Sequence, residues 1–324
     1  MIIHRAKVDE KKKIYKYFVN DKLVTDKNII EYVTKLSIPP AYNDVRIYYV
    51  KSPKILFDGI DAAGRLQQIY SPQWRKKADK EKFKALIEFG KKLPLMTLTM
   101  LQNIKSPCAS KDKIISIILR ITNMCGFRVG QIKYQKLYGS VGLITLNPSH
   151  LKFKKNNKEL HINFIGKKGM ANDCVIHEPL VIKAIESLLV GKSAKDYIFM
   201  YDDPDTKTKK HITAIDINNW LKSFNKNFTS KFFRNFSVNT KFIDITRSEP
   251  VKLLTESQRK KYVTSIVKEL STSINNTPAI CKKSYLDPDL IKLYIEHPIK
   301  YNKTINKHPN NSMVAYIHFL ESIH

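Results

Sequence analysis

Tyr285 stands in the stretch NNTPAICKKSYLDP (275–288), closely preceded by Lys282 and Lys283. An ordinary tyrosine has a pKa near 10, so at pH 7 its phenolate is scarce by roughly a thousandfold, a cost of about 4 kcal/mol. Neighbouring cations reduce that cost and make such a tyrosine a candidate nucleophile. The bland alternative is a buried tyrosine that happens to lie near surface lysines. Four other segments bring cations or hydrogen-bond donors that could share a site with Tyr285. CGFRVGQIKY (125–134) places Arg128 at the exit of an expected helix. INFIGKKG (162–169) places Lys167 in a Gly-Lys-Lys-Gly turn. FTSKFFRNFS (228–237) sets Arg234 among Phe232, Phe233 and Phe236, and a guanidinium held by aromatic neighbours suits bidentate contact with phosphate oxygens. Asn276 offers a neutral donor nine residues before the tyrosine. Each also has a structural reading: Arg128 as a helix C-terminal charge, Lys167 as turn decoration, Arg234 as a cation stacked on rings, Asn276 as a helix cap. Lys168, Lys282 and Lys283 read as phosphate contacts or plain surface charge. Periodicity alone does not join these segments.

The bulk numbers bound the partner. The 324 residues include 57 Lys and Arg against 29 Asp and Glu, a net charge of +28. That excess points to a polyanion, with a membrane surface as the weaker alternative. No apolar run is long enough for a signal peptide or a membrane span. Cys108, Cys125, Cys174 and Cys281 form no CxxC pair and have no His at zinc-finger spacing. They read as four reduced thiols of a cytosol-like compartment. No GxxxxGK[ST] loop and no carboxylate cluster for Mg²⁺ is present, so neither a cofactor nor a metal is expected.

The elements that must position these groups fall into two expected domains. Residues 1–77 read as a small sheet-rich module, with VRIYYV (45–50) and FDGIDAAGRLQQIY (57–70) as strands and turns. A charge-dense linker is expected near 74–80. Residues 78–324 read as mainly helical with an inserted small antiparallel sheet, an α+β architecture overall. Ile114, Ile117, Ile118 and Ile121 mark one buried helix face. Leu160, Ile162 and Phe164 alternate as a strand leading to the Lys167 turn. Val263, Ile266, Val267, Leu270 and Ile274 mark a helix that runs into the NNTP turn.

The order and spelling of these blocks resemble the small type IB DNA topoisomerases of poxviruses, giant viruses and bacteria. IPPAYNDVRIYY (38–49) and DAAGRLQQIYSPQWR (61–75) are similar to the N-terminal module, and FRVGQIKYQKLYGSVGLITL (127–146) to the segment with the first catalytic arginine. INFIGKKG resembles the lysine hairpin, FTSKFFRNFS the second arginine segment, and NNTPAICKKSYLDP the nucleophile segment. The resemblance implies a chain with the tyrosine recombinase / type IB topoisomerase catalytic fold. It implies Tyr285 as nucleophile, Lys167 as general acid, and Arg128, Arg234 and Asn276 as contacts to the scissile phosphate. It implies a 3′-phosphotyrosyl intermediate, a free 5′-hydroxyl, and relaxation of supercoils of either sign without ATP or metal. Gln67, Tyr70, Gln131, Lys133, Tyr134, Lys168, Lys231, Lys282 and Lys283 are the expected DNA contacts. The resemblance also implies duplex DNA as the partner, gripped by a monomer acting as a C-shaped clamp. A viral source would add the virion and the cytoplasmic virus factory as locations.

Three departures stand out. Phe232 replaces an acidic residue common before the second arginine. Arg247 in IDITRSE (243–249) sits in a similar context and competes with Arg234; the register of Phe228, Thr229 and Lys231 favours Arg234. Asn276 stands where poxvirus members have His, which implies a neutral hydrogen bond to the phosphate; Gln131 stands where they have Lys and Gln68 where they have Tyr, so the poxvirus base preference does not transfer. The alternatives are a tyrosine recombinase, which usually shows His-x-x-Arg where this chain has Lys231-x-x-Arg234, and a basic DNA-binding protein without activity.

Overall fold

A computed structural model describes residues 1–9, 14–248 and 254–324. The chain divides into two compact units, Met1–Lys82 and Phe83–His324. In the first, six antiparallel strands form one sheet in the order β3-β2-β1-β4-β5-β6. They are β1 (Ile2–Asp9), β2 (Ile14–Val19), β3 (Lys22–Leu23), β4 (Asn43–Tyr48), β5 (Ile55–Ile60) and β6 (Leu66–Tyr70). Helix α1 (Lys27–Lys35), capped by the Asp26 carboxylate, lies between β3 and β4 in the chain. Ile3, Val33, Val45, Ile47 and Phe57 form a separate small core.

Helix α2 (Pro72–Ile104) runs without a break through residues 74–80, where the charge density predicts a linker. Lysine, glutamate and alanine are good helix formers, so the charges decorate the helix rather than ending it. Its buried residues Phe83, Leu86, Phe89, Leu93, Met96 and Met100 open the second core. Helix α3 (Lys111–Cys125) is capped by Ser110 and buries Ile114, Ile117, Ile118 and Ile121, as its periodicity predicts. After the exposed helix α4 (Ile132–Tyr138), strands β7 (Leu151–Lys154), β8 (Glu159–Ile165) and β9 (Ala171–Ile176) make the inserted antiparallel sheet. Leu160, Ile162 and Phe164 are its buried face.

The rest is helical except for the short pair β10 (Met200–Asp202) and β11 (Lys209–His211), which the sequence reading does not anticipate. Helices α5 (Pro179–Leu189), α6 (Ala214–Lys222), α7 (Lys231–Arg247), α8 (Glu256–Ser273), α9 (Pro278–Ser284), α10 (Pro288–Glu296), α11 (Pro298–Ile305) and α12 (Ser312–Ile323) complete the unit. Helix α7 is its axis. Phe233 and Phe236 pack on Phe89, with ring centroids 5.0 and 5.8 Å away. No helix among the described residues is long and apolar enough to cross a membrane.

The expectation of four reduced thiols is overturned. Cys125, the last residue of α3, is disulfide-bonded to Cys174 on β9; Cys108 and Cys281 are free. The packing of α3 on the sheet brings together two residues 49 positions apart, a separation that carries no sequence signal. Closing a loop of that length stabilises the fold by about 4 kcal/mol in the chain-entropy account. Alkylation of denatured protein should therefore label two cysteines without reductant and four after reduction, read by mass spectrometry. Four labels without reductant would contradict the pairing.

Candidate active site

The site is assembled where α3, α7 and the α8–α9 turn meet. Helix α3 ends at Gly126 in the left-handed conformation, φ 63°. A Cβ there would lie 2.7 Å from the carbonyl oxygen of Ser273, so only glycine lets this helix end approach the end of α8 so closely. Two residues on, Arg128 reaches the α8–α9 turn. Its Nη1 donates to Asn275 O at 3.0 Å and its Nη2 to Asn276 Oδ1 at 2.7 Å. The Arg128 backbone is held as well. Leu143 N–H donates to Arg128 O and Ile144 N–H to Val129 O, and Gly130 packs so tightly on Gly142 that a Cβ would meet its Cα at 2.7 Å.

Arg234 comes from the first turns of α7 and is only 4 % exposed. Its Nη1 donates to Tyr285 Oη at 2.8 Å, and its Nη2 to Ile274 O at 2.5 Å. The guanidinium carbon lies 4.8 Å from the tyrosine ring centroid. Its pKa is lowered to about 10, mainly by burial; Tyr285 opposes the shift and Arg128 adds to it. Arg234 therefore remains cationic at pH 7. No carboxylate among the described residues pairs with it. A buried cation with only neutral partners costs several kcal/mol unless an anion joins it. Three consecutive residues, Ile274, Asn275 and Asn276, thus accept hydrogen bonds from two guanidinium groups. Asn276 Nδ2 is buried without a partner, as is Arg234 Nε. Both are buried donors without an acceptor.

Tyr285 is the residue after α9, in the short bend between α9 and α10, and is 6 % exposed. Thr277 caps α9 and Pro278 opens it, so the Thr-Pro pair starts a helix that delivers the tyrosine. Lys231 Nζ lies 5.7 Å from its ring centroid. Lys282 and Lys283 occupy the exposed last turn of α9. Lys167 stands exposed on the β8–β9 turn, followed by Lys168 in the left-handed conformation. That turn is tied to the Arg128 segment by the Val141 N–H to Ile165 O bond and by edge contact of Phe127 with Phe164 at 4.9 Å.

The structure thus brings together Tyr285, Arg234, Arg128 and Asn276 in one hydrogen-bonded cluster, with Lys167 on a neighbouring turn. Arg247 is elsewhere. It donates to Ser312 Oγ and to the carbonyls of Ile305 and His308, tying α7 to the α11–α12 connection. Phe232 packs on Phe89 and Phe228. Of the expected DNA contacts, Gln131, Lys133 and Tyr134 are exposed on or beside α4, which buries no residue. Gln67 donates to Asp61 Oδ2, and Tyr70 stacks on Trp74 in the first unit.

The profile of the eukaryotic DNA topoisomerase I catalytic core matches residues 71–310. The chain belongs to the type IB DNA topoisomerases. It is 31% identical over 302 residues to the DNA topoisomerase 1B of Acanthamoeba polyphaga mimivirus, covering 91% of this chain and 88% of that one. It is 22% identical to the vaccinia virus DNA topoisomerase 1B, covering 86% of this chain and 88% of that one. Membership makes it an isomerase that binds DNA.

Asp287, two residues past the tyrosine, was not anticipated. It is buried, accepts from the backbone of Asp289 and Leu290, and receives the Tyr316 hydroxyl. Burial raises its pKa from the usual carboxylate value to about 6, partly offset by those backbone bonds. A folded pKa above the unfolded one means stability is fully present below about pH 4 and lost as pH rises through about 6. At neutral pH the cost is about 3 kcal/mol. The stability of Asp287→Asn relative to wild type should therefore fall by roughly 2–3 kcal/mol between pH 7.5 and pH 4 in denaturant titrations. Parallel pH profiles would refute this. Arg247→Ala should cost on the order of 2 kcal/mol of stability through its lost hydrogen bonds. Its cleavage rate constant per folded molecule should stay within about threefold of wild type; a hundredfold loss would move Arg247 into the chemistry.

Proposed function

We propose that Tyr285 Oη attacks a phosphodiester of duplex DNA in this topoisomerase, and that the remaining cluster stabilises the transfer. The observation that carries this reading is the 2.8 Å bond from a buried, carboxylate-free Arg234 to Tyr285 Oη. The tyrosine O–H bond and the P–O5′ bond break. A P–O bond to the tyrosine forms on the 3′ side, and the 5′-oxygen leaves as a hydroxyl. Arg234 stabilises negative charge on Oη as its proton leaves to water. Arg128, Arg234 and the free Nδ2 of Asn276 donate to the nonbridging oxygens, where charge builds in the transition state. Removing one such donor typically costs about 10²–10³ in rate. Lys167, on its turn, protonates the departing 5′-oxygen, an effect worth about 10²–10⁴.

Religation reverses each step, with Lys167 taking the proton back. The phosphotyrosine keeps the energy of the broken bond, so closure needs no nucleotide hydrolysis. Between the two steps the downstream strand rotates about the intact one, relaxing supercoils of either sign. A monomer suffices, since all five groups come from one chain. Exposed Lys133, Tyr134, Lys168, Lys231, Lys282 and Lys283, with Gln67, Tyr70 and Gln131, form the DNA-contacting set. Binding through many phosphates makes affinity fall steeply with salt.

Negatively supercoiled plasmid incubated with the protein in EDTA without ATP should be relaxed by the wild type and left untouched by Tyr285→Phe. Relaxation by both, or by neither despite tight DNA binding, would overturn the assignment of the nucleophile.

A further inference from the structure

We propose that Tyr197 is a specificity-determining residue that acts through helix α4, an inference that rests on α4 meeting DNA as proposed above. Helix α4 begins four residues after Arg128 and buries no residue. Lys133, Tyr134, Lys136, Leu137 and Tyr138 are exposed on it, and the rings of Tyr134 and Tyr138 stack at 6.1 Å. Cations interleaved with exposed aromatic and apolar groups suit phosphates and base edges together.

Such a helix discriminates between sequences only if it is held at one angle. Its seven residues make two turns, too few to stand as an isolated helix, and Gln131 gives it no side-chain cap. Ile132 and Gln135, three apart on one side, are its half-buried residues. The Gln135 amide is bonded at both ends. Its Oε1 accepts from the Tyr197 hydroxyl at 2.7 Å, and its Nε2 donates to Thr145 O at 3.4 Å. A flipped amide would set oxygen against the Thr145 carbonyl, so that carbonyl fixes Oε1 as the acceptor for the tyrosine. Tyr197 itself is well anchored between α5 and β10. Its ring meets His211 edge-on, with centroids 4.3 Å apart. The next two residues, Ile198 and Phe199, are buried, and Ile198 N–H donates to Leu146 O at 3.0 Å. The hydroxyl is thus a fixed point of the core to which α4 is referenced. Removing it leaves the ring on His211 and lets α4 tilt, so that sequences fitting the helix poorly are penalised less.

The test is single-turnover cleavage of a duplex library randomised over the footprint of the protein, with the trapped adducts sequenced over time. The readout is selectivity: the cleavage rate constant at the best wild-type site divided by that at the median sequence. Tyr197→Phe and Gln135→Leu should each lower selectivity by about three- to tenfold. The double variant should lower it no further, because both substitutions remove the same bond. Gln131→Ala and Lys133→Ala, which alter the groups presented to DNA, should change which bases are preferred. Unchanged selectivity in Tyr197→Phe would overturn the proposal. So would rate constants that fall by one common factor at every sequence, the mark of a purely structural defect, or effects of the two substitutions that multiply in the double variant. A wild-type chain that cleaves all sequences alike would overturn it outright. Site distributions untouched by Gln131→Ala and Lys133→Ala would instead remove the reading of α4 as a DNA contact, and the proposal with it.

Discussion

A cation buried without a counter-charge governs this structure. Arg234 is held by a phenol oxygen and a backbone carbonyl, both neutral, in a setting where an unpaired guanidinium is expensive. The surrounding core meets that cost: Phe233 and Phe236, on either side of Arg234 in the chain, pack against Phe89 and hold α7 in place. The arrangement is stable as it stands but electrostatically incomplete. A phosphate placed beside Tyr285 would supply the missing negative charge and occupy Arg234 Nε and Asn276 Nδ2, two buried donors without partners.

The second arginine arrives by a different route and ends at the same turn. Gly126 allows the end of α3 to touch the end of α8, and Arg128 then grips Asn275 and Asn276 while Arg234 grips Ile274. Both arginines meet at the α8–α9 turn, and Asn275 adopts a left-handed φ of 50° within it. The Cys125–Cys174 disulfide joins the helix that leads to Arg128 to the sheet that carries the Lys167 turn. The groups drawn from distant parts of the chain are thereby fixed to one another by short covalent or hydrogen-bonded links.

Much of this was legible in the sequence because it is local. The apolar spacing of α3 and α8, the alternation of β8 and the Gly-Lys-Lys-Gly turn each carry their own signal. Arg234 among phenylalanines announces a buried guanidinium. What was hidden depends on packing between distant segments. Nothing in the sequence pairs Cys125 with Cys174. No local feature marks Asp287, since an aspartate before a proline is ordinary. The unbroken run of α2 through a charge-dense stretch shows that surface charge and a linker look alike when read one residue at a time. Arg234 and Arg247 also look alike in the sequence; only their partners, a tyrosine hydroxyl and a set of inter-helix acceptors, tell them apart.

The central claim is that the arginine-held phenol, among 16 tyrosines, is the one that becomes bonded to DNA. Trapping the covalent complex, digesting protein and DNA, and sequencing the nucleotide-bearing peptide by mass spectrometry tests it directly. The account predicts a single modified peptide containing Tyr285, with the nucleotide attached through its 3′-phosphate. A nucleotide on any other tyrosine, or a 5′ linkage, would contradict it.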